Sequence, residues 1–213
     1  MKNFKTLILI TFLFFQLSST AQENFEGIVK FKFEYHDKTE KMSDDQTKQF
    51  MGTEQLYYLK KGKYKSVMNG LLEMTSFHNG NDTLYVKMNG ANSLLYSPTN
   101  DNDNEEVISF KFKKTSIKIA GYNCELLIVK TNKGDYQYFF NRSVRIDPSY
   151  YKNHKLGLWS FFMEKTNGSI SLKQISNIDD SLSTIEVISI EKKKIDEAIF
   201  ERPNLPIMKM PKN

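Results

Sequence analysis

Ser116-Ile117-Lys118-Ile119-Ala120-Gly121-Tyr122-Asn123-Cys124-Glu125-Leu126-Leu127-Ile128-Val129-Lys130-Thr131 reads as a strand, a tight turn at Ala120-Gly121 and a second, more apolar strand. The second strand sets Cys124, Leu126 and Ile128 on one face and Leu127 and Val129 on the other. A strand apolar on both faces is expected at the centre of a fold, covered on each side. Outward from it, Glu106 to Lys113 alternates, with Ile108, Phe110 and Phe112 on one face and Lys111 and Lys113 on the other. On the far side, Asn132-Lys133-Gly134 turns into an aromatic strand from Asp135 to Phe140. Period-two alternation marks strands that are dry on one face and wet on the other.

The same pattern runs back toward the N-terminus. Phe25 to Tyr35 sets Phe25, Val29, Phe31, Phe33 and Tyr35 against Lys30, Lys32 and Glu34. Short strands are expected at Gln55–Lys60, Lys63–Met68, Leu72–His78, Thr83–Met88 and Ser93–Ser97. Lys61-Gly62, Asn79-Gly80 and Asn89-Gly90 supply the tight turns, and Asn-Gly is among the strongest hairpin signals because both of its residues tolerate positive φ. Ser43-Asp44-Asp45-Gln46 resembles a capping box that would open a short helix ending before Gly52.

After Arg145 the alternation stops. Leu156, Leu158, Trp159, Phe161, Phe162 and Met163 crowd together as a helix or a buried irregular stretch over the sheet. Strands return at Gly168–Ile175 and Ser183–Glu191, then a helical turn at Ile195–Phe200 and a proline-bearing tail expected to be loosely attached. Successive hairpins build an antiparallel meander, and a sheet this long must curl, close or split. The expected fold is mainly β (α+β). It is a single curved antiparallel sheet, an open half-barrel of about ten strands, with two or three short helices on its concave face.

The N-terminus reads as an export signal, with basic Lys2 and Lys5, an apolar core from Leu7 to Leu17, and Ser19 and Ala21 placed for cleavage after Ala21. That run is too short to span a bilayer, and no other stretch approaches the length. The mature chain would be residues 22–213, one domain of 192 residues with 28 basic and 25 acidic side chains, net +3. Lysines alternate with apolar residues along strands and form no nucleic-acid surface. A single cysteine allows no internal disulfide, which in an exported chain points to a bacterial envelope, periplasmic or secreted.

No familiar catalytic motif is present. His36, His78 and His154 stand far apart in sequence and read as exposed or strand-end residues. Asp101, Asp103, Glu105 and Glu106 lack the glycine and glutamate spacing of a calcium loop. Cys124, in an apolar strand with no cationic neighbour, reads as a small core residue. Neither metal nor cofactor is expected. The suggestive feature is aromatic: Phe31, Phe33, Tyr64, Phe110, Phe112, Tyr136, Tyr138 and Phe140 are expected on one face. They form either a filled core or the lining of a cavity for an acyl chain or other apolar ligand, with Trp159, Phe161 and Phe162 as its lid.

Phe25-Glu26-Gly27-Ile28-Val29, Ile119-Ala120-Gly121-Tyr122-Asn123-Cys124 and Ile195-Asp196-Glu197-Ala198-Ile199-Phe200-Glu201-Arg202-Pro203 resemble secreted gram-negative families. These are the GLPGLI family and a related domain of unknown function, both linked to the outer-membrane lipoprotein carrier fold. The GLPGLI signature itself is absent, and Lys155-Leu156-Gly157-Leu158-Trp159-Ser160-Phe161 stands roughly where it would fall. The resemblance brings no catalytic residues and implies a half-barrel able to hold acyl groups. The expected function is a non-enzymatic exported protein binding a lipid or other apolar ligand. The alternative is an envelope module acting through protein partners, by strand edges or exposed Tyr and Lys.

Overall fold

The computed structural model describes residues 24–211, so the expected signal segment lies outside them. Twelve strands form one open sheet among these residues. They are β1 (Gly27–Asp37), β2 (Glu54–Lys60), β3 (Lys63–Met68), β4 (Thr75–Asn79), β5 (Thr83–Lys87), β6 (Leu94–Pro98), β7 (Val107–Ile119), β8 (Tyr122–Thr131), β9 (Gly134–Arg145), β10 (Ser169–Ile178), β11 (Ser181–Lys192) and β12 (Ile207–Lys209). Two α-helices accompany them, α1 (Asp44–Met51) and α2 (Trp159–Thr166), with 3-10 turns at Pro148–Tyr151, Leu156–Leu158 and Glu197–Phe200. Spatial order is β12-β6-β5-β4-β3-β2-β1-β11-β10-β9-β8-β7. Every pairing is antiparallel except β12 on β6.

The sheet is strongly curved. β6 and β7 lie ten steps apart in the ladder, which at about 4.8 Å per step would be roughly 48 Å if flat. The connection, residues 99–106, can reach only about 30 Å. β7 also comes within 8 Å of β11, Cα to Cα, although three strands stand between them. Bulges between Ser169 and Lys173 of β10 and between Lys114 and Lys118 of β7 supply local bends. Among the described residues the two edges of the sheet do not pair with each other, so the curl stays open.

Alternation accounts for what faces inward. Cross-strand partners run Phe112–Leu127–Tyr138–Gln174–Ile185–Phe33 along one line and Phe110–Val129–Tyr136–Ser176–Ser183–Tyr35 along the next. Directly paired residues share a face. That face carries the main apolar cluster, including Val29, Leu127, Val129, Phe140 and Leu172, and Leu158, Phe162 and Met163 pack into it. Helix α1 covers the end of the same face near Phe33 and Tyr35. Its capping box forms as the sequence suggests: Ser43 accepts from the Gln46 amide, and the Gln46 side chain accepts from Ser43 N–H.

Four expectations need correction. The sheet has twelve strands instead of about ten, and two α-helices are formed among the described residues. Glu106–Lys113 and Ser116–Ile119 join across the bulge into one strand, β7. β8 is not central but lies one strand in from the edge. Its Leu126 and Ile128 are half-buried on the outer face, opposite Lys113 and Lys111, whose aliphatic stems can shield them. Finally, the C-terminal tail is docked. Ile195 and Phe200 are buried, Arg202 stacks over Tyr85 at 4.6 Å, and Ile207–Lys209 adds to β6. Lys60 and Lys63 both pair with Glu197, fastening the tail to the outer side of β2 and β3.

Candidate functional site

All eight aromatic residues expected on one face do share it, and they divide by position. Tyr64, Tyr136, Tyr138 and Phe140 are buried core. Tyr136 and Tyr138 stack at 5.8 Å, and Phe162 of α2 packs on Tyr138 at 4.7 Å and on Phe140 at 6.0 Å. Phe33 sits in a separate hollow with Tyr35, Met42, Phe50 and Leu72, under α1. Phe110 and Phe112, on the edge strand, stay 44% and 43% exposed, with Phe161 edge-on to Phe110 at 5.5 Å. Phe31, Tyr138 and Trp159 line a pocket.

This pocket, about 110 Å³, lies between α2 and the strands β1, β2, β10 and β11. Tyr57, Leu59, Ile146, Phe162, Met163, Ile170 and Ile185 complete its apolar wall, and Gln55, Ser171 and Gln174 are its polar side chains. Gln55 donates its amide N–H to Ser66 at 3.2 Å and Gln174 donates to Ser176 at 2.8 Å. Both amide oxygens remain as acceptors without a protein partner among the described residues. Of the residues expected as a lid, Trp159 and Phe162 serve the pocket, while Phe161 turns toward β7. Gly157 and Leu158, with φ near +59° at both, swing the chain into α2 without a side-chain cap.

Beside the pocket is a cluster that sequence spacing concealed. His78 and His154 are 2% and 3% exposed, and their rings lie 5.2 Å apart. The expectation of exposed, separate histidines fails because the 3-10 segment around Tyr151 folds back across β3 and β4. Tyr64 stacks between His78 at 5.1 Å and Trp159 at 5.3 Å, and its hydroxyl bonds His154 Nε2 at 2.8 Å. His78 Nδ1 lies 3.1 Å from the Gly62 carbonyl. Burial and the neighbouring His78 push the His154 pKa down to about 4, and burial lowers that of His78. Burial also holds the Tyr64 phenol well above its ordinary value. At neutral pH the cluster is therefore uncharged. The one hint in the sequence was parity, which aligns Tyr64, His78 and Leu84 on paired strands.

Other candidates resolve simply. Cys124 is buried, its thiol pKa raised by that burial. In the acidic loop, Asp103 pairs with Lys133 at 2.6 Å, and Glu105 accepts from Thr131 and Tyr136. Among the described residues no three His, Cys, Asp or Glu side chains gather as a metal site. His36 lies apart, bonded to Asp44 at 2.9 Å.

Fold and pocket together define a mainly β domain on one open sheet, with an apolar recess beneath a helix. No protein-family model matches the chain, and no curated protein matches it. Among solved structures it is similar to PNGF-II in two space groups, at 14% identity with TM-score 0.43 and at 15% with TM-score 0.44. Each covers 86% of this chain, which spans only 31% of the PNGF-II chain.

Proposed function

We propose that this chain is an exported, non-catalytic binding protein that takes an apolar group into the pocket beneath α2. The observation that carries the reading is the lining itself: Phe31, Tyr57, Leu59, Trp159, Phe162, Met163 and Ile185 surround a space of about 110 Å³ that the core leaves unfilled. Sites for whole drug-sized ligands run to roughly 300–1,000 Å³, whereas a cavity of about 150 Å³ can hold a benzene ring. The bound group is therefore a few carbons, such as the end of an acyl chain, with the rest of the molecule outside the mouth. The Gln55 and Gln174 amide oxygens would accept hydrogen bonds from a polar part of that ligand.

Export is supported by Lys2, Lys5 and the apolar run from Leu7 to Leu17. Sequencing the N-terminus of protein recovered from the cell envelope is expected to begin at Gln22; a retained Met1 contradicts it. The curled sheet around α2 agrees with the carrier-like half-barrel that the short sequence resemblances imply. A binding role is favoured over hydrolysis because His78 and His154 are buried, and neither ring nitrogen meets a carboxylate among the described residues. No helix among these residues is long and apolar enough to cross a membrane.

The test is extraction of apolar compounds from the purified protein, with mass spectrometry, alongside titration with a fluorescent fatty acid. Saturable binding is expected, and Ile185→Phe, which adds a ring to the pocket wall, removes it while the protein stays folded. A protein that releases no apolar compound and shows no saturable binding contradicts the reading.

A further inference from the structure

The end of the sheet away from the tail is occupied by β7, and its outer edge pairs with no strand among the described residues. At 13 residues it is long for an edge strand. Natural sheets usually keep such edges short or protect them with charge. Four of the twelve exposed large apolar side chains of the described residues sit on it: Ile108, Phe110, Phe112 and Ile117. Its charges have one sign. Lys111, Lys113, Lys114 and Lys118 are exposed, the strand holds no acidic residue, and none of the four lysines has an ion-pair partner among the described residues. Glu125, opposite Lys114 on β8, is engaged by Arg142 at 2.8 Å.

Face by face, the edge has a recognisable code. Phe110 and Phe112 share the inner face with Leu127 and Val129, while Lys111 and Lys113 stand on the outer face with Lys130 nearby. A second copy of this chain, paired edge to edge, would bring two rows of lysines together, and like charges across a ladder are destabilising. An acidic strand meets the opposite situation.

We infer that the free edge of β7 accepts an extended segment of another protein in which acidic and apolar side chains alternate. The ladder amides and carbonyls of Ser109–Lys114, the stretch clear of the bulge, take the backbone of the incoming strand. Its apolar side chains meet Phe110 and Phe112, and its carboxylates meet Lys111 and Lys113. The site is separate from the pocket beneath α2, none of whose lining residues lies on β7.

The probe is a blocked peptide of about eight residues alternating Glu with Val, compared with the same peptide carrying Lys in place of Glu. Anisotropy of the labelled acidic peptide is expected to saturate and to weaken severalfold as salt rises from ~0.05 M to ~0.5 M. Hydrogen exchange is expected to slow at β7 amides. Lys111→Glu with Lys113→Glu should lose the acidic peptide and gain the basic one, with fatty-acid binding unchanged. Equal binding of both peptides, no binding of either, or protection outside β7 overturns the inference. So does protection of β7 that depends on protein concentration alone, which would make the edge a contact between copies of this chain.

Discussion

His154 shows how much one side chain depends on its neighbours. Tyr64 holds its Nε2, Trp159 lies against its ring at 5.1 Å, and Nδ1 is buried without a partner among the described residues. Its pKa is about 4 in the fold against an ordinary 6.5, so on acidification the unfolded chain takes up the proton first. The contribution of neutral His154 is therefore fully present above pH 6.5 and is lost as pH falls toward 4. A shift of this size corresponds to a loss on the order of 3 kcal/mol. Urea unfolding at a series of pH values is expected to show that acid limb, and His154→Gln to flatten it; an unchanged slope in the variant assigns the acid sensitivity elsewhere. Beyond the parity that aligns Tyr64 with His78, none of this was legible in the sequence, because the 75 residues between His78 and His154 say nothing about how the chain folds back. The aromatic face was legible, since Phe31, Tyr64, Phe112 and Tyr138 obey simple alternation. Which of them line a pocket was not, because that depends on how far α2 fills the curl.

Among elements, turns were the most readable. Ala120-Gly121 forms the two-residue connection between β7 and β8, with φ of 47° and 85°. A left-handed conformation costs an ordinary residue about 1 kcal/mol, whereas Asn adopts it readily. Ala120→Asn is expected to stabilise the protein by about that amount in denaturant unfolding; a neutral or destabilising result would mean that the turn is not limiting. The capping box of α1 was likewise visible as four residues. α2 was harder, because Trp159, Phe161, Phe162 and Met163 lie on more than one side of an eight-residue helix. Both sides are used: Phe162 and Met163 enter the core while Phe161 turns to β7. β8 misled for a related reason. Two apolar faces suggested a central strand, but Leu126 and Ile128 sit opposite lysine stems near the edge.

In the molecule as a whole, the inner face is covered by α1, α2 and the 3-10 turns at Pro148–Tyr151 and Leu156–Leu158, and the outer face of β3 to β5 is covered by the tail. Phe200, only 2% exposed, belongs to that second cover. The prolines suggested a loose end, but Glu197, paired to Lys60 and Lys63, and the parallel addition of Ile207–Lys209 to β6 hold it down. Phe200→Ala is expected to cost about 3 kcal/mol, the usual range for emptying a buried aromatic site. A loss near zero would return the tail to a loose appendage. The curl itself follows from connectivity: residues 99–106 must join strands at opposite ends of the sheet, an order that local sequence patterns do not reveal. That curl encloses the pocket, and the chain has a single tryptophan, Trp159, lining it. Titration with a fatty acid carrying bromine near its methyl end reads the pocket directly, since bromine quenches indole fluorescence on contact. Saturable quenching of Trp159, relieved by an unbrominated fatty acid and absent in Ile185→Phe, is the predicted result; fluorescence that stays constant, or falls without saturating, contradicts it.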